Sequence, residues 1–345
     1  MGKKQFHAVQ QRPNDPYIYL YVMGEWYCYN PLEPPLGSGA MGDVYRGYRC
    51  VNGTPIAVKR VKDAFANNPM IRDRARLEAS LAFRHPNLVE MIGCCEYSQT
   101  EGPIFILSNF VEGENIETYV KNFKNLPNKV EKVCSAICSV LDALDYVHSR
   151  GVVHRDVKPS NIMVENGYNV RLMDLGIARL NGGNKFSQVG FIGTPEYSAP
   201  EQIIMDEGGA KVEINASTDI YELGITFYEL LTGSNPMNCD TEADILAKQI
   251  KEPLPADASI PKRLMRVIWK ATEKEQAKRY QTAIEFKRAI EEALQPEPSA
   301  GERFKMWIHD NVILFAAIIA TLIFIVFLIT LILLQTAHGT EKAIY

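Results

Sequence analysis

The sequence predicts an α+β fold in two lobes, a small β-rich N-terminal lobe and a larger helical C-terminal one, plus one C-terminal transmembrane helix. Three observations carry this. Short alternating and β-branched runs, broken by glycine-containing turns, crowd the first part of the chain. Apolar residues then recur at helical spacing, first at Val130, Val133, Ile137, Val140, Leu141, Leu144 and Val147. Finally, Val312 to Leu334 is a run relieved only by Thr321 and Thr330. At about 1.5 Å per residue a helix of that length spans the roughly 30 Å bilayer core; a buried helix is the alternative.

The 345 residues, 46% of them apolar, suffice for one large or two ordinary domains. A net charge of -4 with both signs interspersed argues against a nucleic-acid partner. The seven cysteines show neither zinc-type pairs nor an even framework, which fits a reducing compartment. The polar start, Met1 to Pro16, lacks the apolar core of a signal peptide.

Taken in order, residues 1–29 form an N-terminal flank whose tyrosine-rich stretch either adds a strand to the first sheet or stands beside it. Leu36 to Tyr45 holds Gly37, Gly39 and Gly42 at spacings that let backbone N–H groups approach phosphate oxygens. A dinucleotide-binding turn uses the same letters, but there the third glycine opens a helix, whereas Asp43 to Tyr48 alternates like a strand. The loop is thus a hairpin lid. Asn52-Gly53 turns the chain into Pro55 to Val61, a strand that carries Lys59 either toward a ligand or out at a solvated edge. A helix from Met70 to about Phe83 follows, with Glu78 its one glutamate and the natural partner of Lys59. His85-Pro86 closes it, a strand at Ile104 to Leu107 follows, and the apolar run stops at Ser108 to Gly113, where a connector to the second lobe begins.

The long helix ending near Val147 delivers the polar run His154-Arg155-Asp156-Val157-Lys158-Pro159-Ser160-Asn161. It groups a carboxylate that accepts a proton, an ammonium group for a nearby negative charge and an amide oxygen for a hard metal ion. Phosphoryl transfer needs those parts; taken alone, the tripeptide also reads as a salt-bridged turn. Asn169 to Met173 is a strand ending in Asp174-Leu175-Gly176, a carboxylate placed for a metal ion, and Gly193 to Glu201, Asp219 to Gly224 and Lys278-Arg279-Tyr280 complete the domain.

With these pieces in this order, residues 30–292 resemble the eukaryotic-type protein kinases, and more narrowly the single-span Ser/Thr kinases of bacteria. The resemblance implies a protein kinase fold and an ATP-dependent protein serine/threonine kinase using Mg²⁺, with Mn²⁺ as a substitute. In the nucleotide site it places Leu36, Gly37, Ser38, Gly39, Gly42, Val44, Ala57 and Lys59, with Ser108 as gatekeeper and Asn109 to Val111 as the hinge. Asp156 would orient the substrate hydroxyl, Lys158 would steady the γ-phosphate, and Asn161 and Asp174 would hold the metal. Glu201 and Arg279 look like the family's buried ion pair, and Asp219 like the brace of the catalytic loop. Arg155 is able to bind a phosphate on the activation segment, whose candidate acceptors are Ser187, Thr194 and Ser198. Thr194 is reserved for the active site, which favours Ser187.

Three residues depart from the pattern. Glu78 lies seven positions before His85 where the family more often has nine, Leu175 replaces a phenylalanine, and Ser108 is a small gatekeeper that predicts a deep pocket behind adenine. Two rival readings are a pseudokinase scaffold, which usually lacks the lysine or one of the two aspartates present here, and a small-molecule phosphotransferase, against which Lys158 and the Thr194 to Glu201 segment speak.

Residues 293–311 read as a juxtamembrane linker, 312–334 as the span and 335–345 as a short extracytoplasmic tail without a sensor domain. Arg303 and Lys305 before the span favour a cytoplasmic N-terminal side, as does the need for ATP, so the expectation is a single-pass protein of the cell membrane. Its partners would be protein substrates and the bilayer. Ala316 and Ala320 have the small-xxx-small spacing of pairing helices, which allows a homodimer, although alanines also serve as filler.

Overall fold

A computed structural model describes residues 8–39, 42–122, 127–175, 186–187, 190–191, 194–204, 213–296 and 300–341, and the side chains of a few helix and strand residues among them, Glu78 and Ser187 included, lie outside the description. The chain forms two compact units, Met1–Leu294 and Gln295–Tyr345.

In the first unit, β1 (Val9–Gln11), β2 (Ile18–Val22), β3 (Glu25–Tyr29), β4 (Gly37–Ser38), β5 (Gly42–Arg49), β6 (Pro55–Val61), β7 (Met91–Glu96) and β8 (Ile104–Asn109) build one antiparallel sheet. Its order is β1-β2-β3-β5-β6-β8-β7, with β4 on β5. The tyrosine-rich flank therefore supplies strands at the sheet's outer edge. Its period-2 pattern explains their strand character: Leu20 and Val22 on β2 and Tyr27 and Tyr29 on β3 point inward with Ile56, Val58, Phe105 and Leu107. Met23 and Gly24, both with positive φ (49° and 88°), make the tight turn between them.

The sheet curls until β2 reaches β7. Gly93 permits the approach, since a Cβ there would lie 2.6 Å from Val22 Cγ1, and its φ of +152° is one that side chains avoid. The strand bulges at the same place, between Met91 and Gly93. Cys95 Sγ closes the seam by donating to the Ala8 carbonyl at 3.4 Å.

Helix α1 (Asp63–Ala66) leads into α2 (Pro69–Ser80). Arg72 on α2, 1% exposed, donates to the carbonyls of Ala66 at 2.6 Å and Gly102 at 3.1 Å and also reaches that of Ser98. Arg76 donates to Glu96 at 2.9 Å and the Gln99 carbonyl at 2.8 Å. The helix is thus fastened to the β7–β8 connection by guanidinium groups on backbone oxygens.

The second lobe contains α3 (Ile116–Lys121), α4 (Lys129–His148), α5 (Pro200–Ile203), α6 (Ala216–Thr232), α7 (Glu242–Lys251), α8 (Lys262–Ala271) and α9 (Ala283–Leu294). A small sheet of β9 (Gly113–Asn115), β10 (Ile162–Glu165) and β11 (Asn169–Leu172) lies beside them in the order β11-β10-β9. Helices α4 and α6 form its core, with Val133, Ile137, Val140, Leu141 and Leu144 packed on Ile220, Leu223 and Phe227.

The second unit holds α10 (Ala300–Asp310) and α11 (Val312–Glu341). Residues 300–310, read as linker, are helical: the stretch after Pro298 carries no proline and is free to wind. Phe304 and Trp307 stack at 6.2 Å, and each meets Phe315 in a T-shaped contact. Within α11, Thr321 and Thr330 return their hydroxyls to the carbonyls of Ala317 and Val326 at 2.8 and 2.9 Å, so neither is left unsatisfied on the apolar surface.

Candidate active site

Helix α6 builds the polar loop from below. Asp219, Glu222 and Thr226 share one face at spacings of three and four residues. Asp219 accepts from the backbone N–H of His154 at 2.8 Å and of Arg155 at 2.7 Å. Glu222 accepts from Val157 N–H at 2.7 Å, and Thr226 donates to the Val157 carbonyl at 3.3 Å. Arg155 sits at φ +68°, a conformation that costs about 1 kcal/mol or more unless the surroundings impose it. Here the Asp219 carboxylate imposes it. Burial pushes the Asp219 carboxyl up, but the bond from His148 Nε2 (2.6 Å), the facing His154 and the Arg155 N–H outweigh it and hold the group below the usual carboxylate range. His154 is wholly buried, which lowers its pKa, and its Nε2 lies 2.9 Å from the Met173 carbonyl.

On this scaffold Asp156 meets three groups among the described residues. Asn161 Nδ2 donates to its carbonyl at 2.8 Å and its Oδ2 at 3.0 Å. Lys158 Nζ lies 3.1 Å from the same Oδ2. Thr194 donates to Oδ1 at 3.4 Å and accepts from Lys158 Nζ at 2.5 Å. Asp174 follows β11 at φ +48°, and its Oδ2 takes Lys59 Nζ at 3.1 Å. Met173 N–H bonds the Asn161 carbonyl at 2.9 Å, which ties the Asp174 and Asp156 segments together.

On the sheet, the register sets Val44 opposite Lys59, Lys59 opposite Ile106 and Ala57 opposite Ser108, so Val44, Ala57, Lys59 and Ser108 share one face. Leu36 N–H donates to Val44 O at 2.7 Å and Gly39 N–H to Gly42 O at 2.9 Å, while Ser38 bonds Asp43. Gly42 must be glycine, because a Cβ would lie 2.6 Å from Arg60 O, whereas the space beside Gly37 is open. Asn109 N–H is fixed by the Glu90 carbonyl at 2.9 Å, and Val111 follows it half-buried. Arg46 stacks on Phe110 at 4.7 Å and ties the lid strand to the connector, a contact the sequence did not signal.

Arg279 grips Glu201 with two bonds, 2.7 and 2.8 Å, and spends its remaining donors on the carbonyls of Ser217, Lys274 and Glu273. Ser198 is buried and donates to Thr194 O at 3.0 Å. Glu78 lies on α2 with its side chain outside the described residues, so the Lys59–Glu78 pairing lies outside them too. The Ser187 side chain lies outside them as well, on a short strand pair, Phe186–Ser187 with Gly190–Phe191. Glu222 and Thr226 were missed from the sequence because, inside an apolar helix, they read as ordinary core-helix positions.

A metal ion fits these donors. With the Asn161 amide nitrogen committed to Asp156, its oxygen is the ligand atom that remains, and it stands with the Asp174 carboxylate as a hard-oxygen pair. Mg²⁺ is commonly held by one or two such protein oxygens, with substrate phosphates and water completing the shell.

The protein kinase domain family matches residues 31–300. The chain is 32% identical over 270 residues to the serine/threonine-protein kinase PknH of Mycobacterium tuberculosis, covering 76% of this chain and 41% of that protein. To PknB of the same organism it is 32% identical over 273 residues, covering 76% and 42%. It thus spans less than half the length of these relatives. Among solved structures, the Mycobacterium tuberculosis PknI kinase domain matches with a TM-score of 0.58 at 26% identity, over 78% of this chain and 96% of that one.

Proposed function

The chain belongs to the protein kinase domain family, on the serine/threonine side where its bacterial relatives stand, and from that premise we propose a membrane-anchored kinase that moves the γ-phosphoryl group of ATP to Ser and Thr hydroxyls of proteins, itself included. The observation that carries this reading is the convergence of Lys158, Asn161 and Thr194 on Asp156, with the Lys59–Asp174 bond tying sheet to loop.

Asp156 accepts the hydroxyl proton through Oδ1, the oxygen that faces Thr194, while Asn161 and Lys158 hold Oδ2. Lys158 and Lys59 set positive charge where the phosphoryl oxygens gather it. The loop of Gly37, Gly39 and Gly42 covers the phosphates with no side chain in the way, Leu36, Ser38, Val44, Ala57 and Ser108 line the base and sugar, and Asn109 to Val111 read adenine through the backbone. Asn161 and Asp174 would hold Mg²⁺, which when bound neutralises charge on the transferred group. Glu78 is the partner assigned to Lys59, Ser187 the activation-segment acceptor and Arg155 the group that receives its phosphate.

Anchoring rests on α11, whose stretch Val312–Thr330 is the one helix among the described residues long and apolar enough to cross a bilayer, with none of that surface covered. The juxtamembrane linker, residues 293–311, would then stand on the inner side, and Ala316 and Ala320 offer a homodimer contact.

The test is phosphate transfer from labelled ATP by the purified full chain in detergent, beside Asp156→Asn. Phosphoserine or phosphothreonine that vanishes in the variant is the expected result. Nucleotide binding without transfer in the wild type would turn the reading to a scaffold.

A further inference from the structure

The turn Thr194 to Tyr197 starts on the catalytic carboxylate, through the Thr194 bonds to Asp156 and Lys158. Its next three residues are held from outside that site. Gln249 on α7 is 0% exposed and its amide is fully used. The nitrogen donates to the carbonyls of Glu196 at 2.6 Å and Pro195 at 3.2 Å, and the oxygen accepts from the Tyr221 hydroxyl at 2.6 Å. Tyr221, also 0% exposed, receives Lys274 Nζ at 2.6 Å. Asn235 adds a second donor to Glu196 O at 3.1 Å, and Tyr197 donates to Glu229 at 2.7 Å.

A glutamine at a fully buried helix position is costly unless each polar atom finds a partner, and an apolar residue would fill the space without that cost. The partners here are two carbonyls of a turn whose own backbone bonds among the described residues include Tyr197 N–H to Thr194 O and Ser198 N–H to Pro195 O, both 3.2 Å.

We infer that Gln249, locked by Tyr221, is a positioning residue that fixes the backbone of Pro195 and Glu196 and thereby sets where a protein substrate meets Asp156. This rests on the kinase reading above. The amide acts through the turn and touches neither nucleotide nor reacting atoms. The nucleotide side, built on β4 to β8, Lys59 and Asp174, makes none of these bonds. Loss of the amide should therefore weaken capture of protein without weakening capture of ATP.

The test is steady-state transfer to dephosphorylated casein by the full chain in detergent, comparing wild type, Gln249→Met, Tyr221→Phe and the double variant. Gln249→Met keeps the length of the side chain and removes its donors; KM for casein should rise about tenfold while KM for ATP stays within about twofold. Tyr221→Phe should move the casein KM the same way by a smaller factor and add little in the double variant, because it acts through the same amide. A merely structural role lowers kcat with the active fraction and leaves both KM values alone, and that outcome, or a parallel rise in both KM values, overturns the inference with the kinase reading intact. Should Gln249→Met fail to fold, the same split measured on Tyr221→Phe decides. A wild type that transfers no phosphate at all removes the kinase reading, and the inference with it.

Discussion

Among the described residues Asn161, Lys158 and Thr194 reach Asp156, and in the proposed reaction its Oδ1 is the proton acceptor. Asp156→Asn keeps the shape and deletes the proton acceptor, so kcat should fall about 10²- to 10⁴-fold with ATP affinity retained, as transfer and equilibrium binding assays would read. Lys274 gives a second expectation. Burial, with Arg279 nearby, lowers its pKa from 10.5 to about 8. Between those two values the unfolded chain binds a proton that the folded chain does not, so stability should increase as pH rises through that window. Urea midpoints followed across it should climb in the wild type and climb less in Lys274→Met; equal slopes would assign the trend to other groups. The polar loop was legible in the sequence because a carboxylate, an ammonium group and an amide crowd into Asp156, Lys158 and Asn161, and Asp174 stands at a strand end before a glycine. Gln249 was not legible: a glutamine inside an amphipathic helix carries no mark of the carbonyls it meets in the fold.

Among the elements, the β2–β3 hairpin stands out, since its inward residues Leu20, Val22, Tyr27 and Tyr29 fill the face of the sheet opposite Lys59. Leu20→Ala should cost about 2–5 kcal/mol by the usual scale of large-to-small changes at a fully buried site, read as a lowered thermal midpoint with the casein KM unchanged. An unchanged midpoint would mean that the edge strands contribute little to the lobe. Alternation along Ile18 to Tyr29 revealed strand character. It did not reveal placement, because a period of two shows which side chains share a face and not which sheet edge the strand joins. Helix α10 escaped for another reason: Pro296 and Pro298 marked a break, and the break was read as extending across residues that carry no breaker themselves.

At the scale of the whole molecule, the division at Leu294 predicts separable behaviour. A chain ending at Leu294 should fold, keep its transfer activity and remain in the supernatant after ultracentrifugation with vesicles, whereas the full chain should sediment with them. Sedimentation of the shortened chain would place a second membrane contact in the first unit. The seam where Gly93 passes over Val22 also bears on the order of assembly. Those two residues lie about 70 positions apart, so at roughly 5–20 residues per second of synthesis the hairpin waits some seconds on the ribosome for its closing strand. Through that interval its tyrosine-rich apolar side has Ile56 and Val58 of β6 against it, and the contacts with Gly93, Phe105 and Leu107 that complete the cover are non-local, the slowest kind to form. The N-terminal lobe should accordingly be the part of the newborn protein most exposed to chaperones, and the last to acquire protection from hydrogen exchange.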